Sequence, residues 1–290
     1  MRCRSSAKGS AMPYKPRRSA LYMPASNAKA IAKARTLDCD VVILDLEDAV
    51  APDAKTVARE QAVAAVREGG FGSRELLIRV NGLETEWGAD DMAAAAAVAP
   101  DAILAPKVST ADDVRRYAGH LGERAIPLWA MVETALSLFR LDAIAATAPE
   151  TGLAGFVIGT NDLAKETGAH LDTLRTPFVG ALGLAVAAAR AYGLIVLDGV
   201  YNDLDDDEGF AVQARQAVTF GFDGKTLIHP RQIDPCNRAF TPDANALDWA
   251  RTIIAAFALP ENASKGAIRV DGRMVERLHL AQAERTVAMA

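Results

Sequence analysis

The stretch VVILDLEDAV, residues 41–50, decides how the rest of the chain is read. Val41, Val42, Ile43 and Leu44 form a continuous apolar run, as in a strand of a parallel sheet covered on both faces. Asp45, Glu47 and Asp48 then arrive within four residues. An ionised carboxylate is costly to bury unless it is paired or metal-bound. The strand therefore surfaces at its C-terminal end, and it surfaces into a polar site.

The pattern recurs in SALYMP (19–24), LLIRVN (76–81), AILAPKV (102–108), PLWAMVE (127–133), GFVIGTND (155–162), LIVLDGV (194–200) and KTLIHP (225–230). Alanine-rich stretches with helical spacing, such as NAKAIAKARTL and AKTVAREQAVAAV, separate these runs. Apolar strands alternating with helices read as parallel βαβ units. Eight such beats predict a (β/α)8 TIM barrel, a fold of ~250 residues. An open doubly wound sheet is the rival fold; no GxGxxG follows the first strand, which counts against its dinucleotide-binding form. The runs end in Ser26 and Asn27, the acids 45–48, Arg79 and Asn81, Lys107, Glu133, Asn161 and Asp162, Asp198, and His229. In a barrel these ends converge on one mouth, where active sites lie.

The expected organisation is a flexible leader over residues 1–16, the catalytic barrel over 17–258, and a C-terminal helical extension over 259–290. Within the extension, 260–273 reads as a linker and 274–288 as a helix that docks on a neighbouring subunit. The first 37 residues contain no acid. Residues 1–15 read as a loose leader with a real start at Met12, the alternative for this basic stretch being a transit peptide. Of the 290 residues 50% are hydrophobic and 24% charged, which gives ample core, and the net charge of -5 argues against nucleic acid or an anionic membrane as partner. No apolar run approaches the ~20 residues of a membrane span. Cys3, Cys39 and Cys236 are scattered, as expected of reduced thiols in a cytoplasmic protein.

Glu133 and Asp162 end the fifth and sixth strands, so they are neighbours at the mouth. Two adjacent carboxylates repel unless a proton or a cation lies between them. With waters and a chelating substrate they suit Mg2+; the alternative is a helix cap or a loop salt bridge. Arg79 can hold a substrate carboxylate with its fork, and it can equally pair with the acids of the second strand; the two roles are compatible. Lys107 reads as a Schiff-base lysine, a substrate-binding charge or a structural residue. His229 reads as a ligand contact or a helix cap. The acidic run NDLDDDEGF (202–210) reads as a solvated loop and helix start.

RSALYMPASN, DLEDAVAPDAK, IRVNG, PKV, GTNDLAKETG, GKTLIHPRQI and the tail DGRMVE together carry a resemblance. The chain resembles the citrate lyase beta-subunit-like branch of the HpcH/HpaI aldolase/citrate lyase family, over roughly residues 17–280. The resemblance implies a Mg2+-dependent barrel enzyme, a carbon–carbon lyase or synthase. Its substrate would be a β-hydroxyacyl-CoA thioester of malyl, citramalyl or citryl type, with CoA as part of the substrate. The products would be an acyl-CoA and a 2-oxo acid. Implied roles are metal ligation for Glu133 and Asp162, a carboxylate clamp for Arg79, and support of metal waters and Arg79 for Glu47 and Asp48. The family tail places an aspartate after a methionine. Here the tail reads Gly272-Arg273-Met274-Val275-Glu276, so the longer Glu276 takes that place and Asp271 stands as a second carboxylate. Alternatives are a malyl-CoA-type thioesterase, a free oxo-acid aldolase, or a subunit active only with an acyl carrier protein. A homotrimer or hexamer is implied. Arg17, Arg18 and Lys29 are candidates for contacts to CoA phosphates.

Overall fold

A computed structural model describes residues 15–289. Residues 1–14 of the expected leader, with Met12 and Cys3, lie outside the described residues. Eight strands are β1 Ser19–Pro24, β2 Val41–Asp45, β3 Glu75–Arg79, β4 Ala102–Ala105, β5 Leu128–Val132, β6 Leu153–Ile158, β7 Ile195–Asp198 and β8 Gly224–Leu227. Each pairs in parallel with the next, and β8 returns to β1 through Ser19–Lys225 and Leu21–Leu227. The sheet is a closed barrel, so the fold is the expected (β/α)8 barrel and the open sheet is excluded.

Alternation along the strands positions the site. Side chains two apart share a face. Val41 and Ile43 of β2, Leu77 of β3, Trp129 and Met131 of β5 and Val157 of β6 fill the barrel interior. The next position of that parity is Asp45 on β2, Arg79 on β3 and Glu133 after β5. The register pairs Asp45 with Arg79 and Ile43 with Leu77. The opposite parity, including Val42, Leu44, Ile78 and Ile103, packs under the helices. In β2 to β6 both faces are therefore largely apolar until the strands end, which is why those runs read as continuous.

Local capping fixes the helix starts. Asn27 accepts a hydrogen bond from Ala30 N–H at 3.1 Å, and Thr110 forms a capping box with Asp113. At the N-terminal end of the barrel Arg17 grips Glu75, with Nε 2.5 Å from Oε2 and Nη2 2.8 Å from Oε1. Arg18 holds Asp40 there through Nε at 2.8 Å. Both precede β1 and so lie at the end away from the mouth, which removes them as candidates for contacts to CoA phosphates there. Lys29, exposed on the helix after β1, is on the mouth side.

A buried ionic cluster ties β7 to β8. Asp198 lies between two cations, Lys225 Nζ at 2.8 Å and the Arg175 guanidinium. Lys225 also donates to Gln213 Oε1 at 2.7 Å, and Arg175 donates to Gln216 Oε1 at 2.7 Å. Lys225 and Asp198 are fully buried, so this strand-end acid serves the fold.

The barrel forms one compact unit, Arg17–Phe240, and the chain from Thr241 onward belongs to another. The expected barrel boundary at 258 differs because helix Ala244–Ala258 packs on helix Arg277–Ala288. The stretch expected as a linker carries a hairpin, β9 Ala267–Val270 paired antiparallel with β10 Arg273–Glu276. Its turn residues, Asp271 and Gly272, have φ of 46° and 80°, the two positive values a tight hairpin needs. Ile253, Phe257, Ile268, Val270, Val275 and Ala283 form the core of this unit. No helix of the described residues is long and apolar enough to cross a membrane.

Candidate active site

Asp45, Arg79 and Glu133 rise from the barrel floor into a cavity of about 270 Å³. Tyr22, Met131 and Asp162 also line it. Arg79 is spoken for. Its Nε and Nη2 donate to Asp45 Oδ1 and Oδ2, both at 2.6 Å, a bidentate pair. Its Nη1 lies 2.8 Å from Glu47 Oε2 and 3.2 Å from Asp48 Oδ2. Its guanidinium carbon stands 4.8 Å from the Tyr22 ring centroid, a cation–π contact. Burial opposes its charge, but Asp45 and its neighbours outweigh burial and hold its pKa well above the ordinary value. The pairing of Arg79 with the acids of the second strand, one of its two compatible readings, is present.

Asp45 also accepts from the backbone N–H groups of Glu47 at 2.9 Å and Ala49 at 3.1 Å, which fixes the loop carrying Glu47 and Asp48. Lys55 secures the same loop. Its Nζ donates to Leu46 O at 2.8 Å, Glu47 O at 2.7 Å and Asn81 Oδ1 at 2.7 Å. Glu47 meets the Lys107 ammonium through Oε1. Burial raises the Glu47 pKa against the pull of Arg79 and Lys107. Burial lowers that of Lys107, but the Glu47 hydrogen bond and charge win, and its net shift is upward. A Schiff-base lysine needs the reverse shift, so Lys107 reads as a fixed cation.

Glu133 carries the sharpest electrostatic tension. It is 1% exposed. Its Oε1 accepts from the Lys107 backbone N–H at 2.6 Å, and its Oε2 has no hydrogen-bond partner. Lys107 takes a left-handed φ of 52° at this contact, a conformation rare outside glycine and typical of functional sites. Burial first, then the charge of Glu47, pushes the Glu133 carboxyl up to about 8, with Asp162 adding to the rise. Asp162 is the third residue of helix Thr160–Thr167, and its half-buried side chain makes no hydrogen bond or ion pair, which rules out the cap reading. Glu133 and Asp162 also line a second cavity of about 290 Å³ with Lys107 and Lys165.

This donor set fits a hard divalent cation. An orphaned, buried carboxylate oxygen and a second free carboxylate face one cavity, and Mg2+ is usually held by one or two carboxylates plus waters and substrate. Among the described residues no group of three or more His, Cys, Asp or Glu converges, so substrate and water would complete the shell. Gly159 makes room: a Cβ there would lie 2.5 Å from Glu133 Oε2. We expect Gly159→Ala to weaken Mg2+ binding at least about tenfold, since small misplacements of a site carboxylate are costly; calorimetric titration checks this.

Sequence reading named Arg79, Glu47, Asp48, Lys107, Glu133 and Asp162, and the structure gathers all six around the mouth. It missed Tyr22, Gly159 and the role of Asp45, although Asp45 and Tyr22 share the inward parity of their strands. His229 is the helix cap of its two readings: its Nδ1 accepts from Arg231 N–H at 3.2 Å. The run 202–210 is a mostly exposed loop with Asp206 capping helix Asp207–Phe220. Glu276 ends β10, where its N–H donates to His279 Nδ1 at 2.9 Å.

A parallel barrel whose mouth presents unpaired carboxylates beside a buried arginine is the kind of barrel that can hold a divalent cation at its mouth. The profile described as HpcH/HpaI aldolase/citrate lyase matches residues 18–230. The chain belongs to that family. It is 45% identical over 275 residues to a (3S)-malyl-CoA thioesterase of Cereibacter sphaeroides, covering 95% of each chain. It is 32% identical over 293 residues to the mitochondrial citramalyl-CoA lyase of Homo sapiens, covering 96% of this chain and 86% of that one. Among solved structures it resembles the Mycobacterium tuberculosis protein CitE in complex with magnesium, acetoacetate and coenzyme A. The TM-score is 0.75 and the identity 31%, over 95% of this chain and 97% of that one.

Proposed function

We infer that this chain is a Mg2+-dependent enzyme acting on a malyl-type β-hydroxyacyl-CoA thioester, and that its principal reaction is hydrolysis of the thioester. The observation that carries the metal-dependent reading is the orphaned Glu133 Oε2, buried beside Asp162 in the mouth cavity. Hydrolysis is favoured by the 44–45% identity to malyl-CoA thioesterases along 95% of both chains. Carbon–carbon cleavage to an acyl-CoA and a 2-oxo acid is the second reading. It is favoured by relatives named as lyases at 32–33% identity.

In either reaction Glu133 and Asp162 would hold the cation. When bound, Mg2+ would supply positive charge that neutralises the negative charge of the acyl head and of the developing product. Arg79, held by Asp45, keeps the acids of the second strand fixed around the mouth and presents its guanidinium edge to the acyl head. Lys107 holds Glu47 and, through its backbone N–H, orients Glu133. The two cavities that share Glu133 and Asp162 suit a substrate with an acidic head and a long thioester arm. In hydrolysis, water adds to the thioester carbonyl, the carbon–sulfur bond breaks, and CoA leaves with the proton. Glu276, which the family pattern brings to the site of a neighbouring subunit, is the carboxylate proposed to move that proton. We extend the reading to a homotrimer or hexamer: Met274 and Leu278, 73% and 60% exposed, suit a subunit contact.

The deciding assay follows malyl-CoA with Mg2+ and the purified chain alone. Malate plus free CoA supports hydrolysis; acetyl-CoA plus glyoxylate supports the lyase. No turnover of malyl-, citramalyl- or citryl-CoA by folded protein overturns both, and leaves the form that needs an acyl carrier protein.

A further inference from the structure

The Tyr22 hydroxyl is a hydrogen-bond donor that nothing in the site uses. Tyr22 lies on β1 with inward parity, two residues beyond Ala20 of the barrel core. Its ring packs over the Arg79 guanidinium, so the side chain is held in one place. It lines the mouth cavity with Arg79, Met131 and Glu133. The hydroxyl oxygen is buried and has no hydrogen-bond partner. A buried phenol normally finds a partner, and one left without it destabilises the fold. Burial raises its pKa against the opposing charge of Arg79, so the group stays a neutral donor. Of the carboxylates whose charge it feels, Asp45 and Glu47 are turned to Arg79, Lys107 and the loop backbone, and Glu133 takes the Lys107 N–H through Oε1 while its Oε2 makes no hydrogen bond to the phenol. The missing acceptor must therefore come from whatever fills the cavity.

We propose that Tyr22 is a specificity-determining residue whose hydroxyl donates to a carboxylate oxygen of the bound acyl head, so that the site selects dicarboxylic acyl groups over 3-hydroxyacyl groups lacking that carboxylate. The proposal rests on the reading of the mouth cavity as the acid-binding pocket. The fold places the donor beside a fixed guanidinium and within the cavity that holds both free carboxylates, where an anionic head anchored by a cation would lie. The ring alone would serve the cation–π contact; the oxygen is the part left unexplained by the protein.

Tyr22→Phe keeps the ring and removes only the oxygen. The probe is malate, titrated by calorimetry into wild type and variant with saturating Mg2+. Mg2+ binding and thermal melting of each protein are read separately. The expected result is malate binding weakened about tenfold or more, the scale of one hydrogen bond to a charged acceptor. Mg2+ affinity stays unchanged, and the unliganded melting temperature is equal or higher, because an unsatisfied buried hydroxyl has been removed. Equal malate affinity in the two proteins overturns the proposal. So does a variant that melts several degrees lower, because the hydroxyl then has a partner within the protein. If wild type binds Mg2+ but not malate, the reading of the cavity fails, and this proposal fails with it.

Discussion

Glu133→Gln lowers turnover of the CoA thioester roughly 100-fold or more, beyond the 10–100-fold typical of residues that only support a metal ligand. The same substitution raises the melting temperature of the metal-free protein. The two effects have one cause. Glu133 is buried and its Oε2 is unpartnered, with its carboxyl pushed up to about 8 chiefly by that burial. Without a cation the charged form is a liability to the fold. The amide keeps the shape and the acceptor for the Lys107 N–H but carries no charge. Each kcal/mol recovered adds about 2–4 °C for a chain of this size. Thermal melts with and without Mg2+ check this: wild type gains stability from the ion, and the variant does not.

Asp198→Asn has the largest expected effect on stability. Asp198 lies outside the mouth cavity and balances both Lys225 and Arg175 in a fully buried cluster. The asparagine leaves two buried cations without a counter-charge. Breaking such a cluster on one side costs about 3–5 kcal/mol, a fall of roughly 10 °C in melting temperature. Adding Lys225→Met removes the second cation and should return a good part of the loss. A single variant as stable as wild type, or a double variant no better than the single, contradicts this view of the cluster. Urea melts of the three proteins decide it.

The barrel was legible because its eight strands are buried on both faces and end abruptly in polar residues. The period of two along VVILD already set Asp45 with Val41 and Ile43 on one side, and the same count marks Arg79 and Glu133. What those residues do to one another was not legible. That Arg79 is held by Asp45 depends on the register between β2 and β3, and strand spacing in sequence does not fix register. Lys55, the cation that staples the active-site loop, sits on a helix whose pattern gives no hint of three carbonyl acceptors. Arg175 reaches Asp198 from a loop, in a left-handed conformation that no local motif announces. The hairpin β9–β10 did have a signal, the pair Asp271-Gly272 between short alternating runs, but its turn residues read equally well as a linker. Glu276 was placed by resemblance alone, and its local setting at the end of that hairpin explains how a tail of this kind holds a carboxylate in a defined position.

The central claim is that Glu133 and Asp162 together form a divalent-cation site at the barrel mouth. The most direct test is calorimetric titration of Mg2+ into wild type, Glu133→Gln and Asp162→Asn. The account predicts one Mg2+ site in wild type, with binding lost or weakened by at least about tenfold in each variant. Undiminished Mg2+ binding in both folded variants would contradict it.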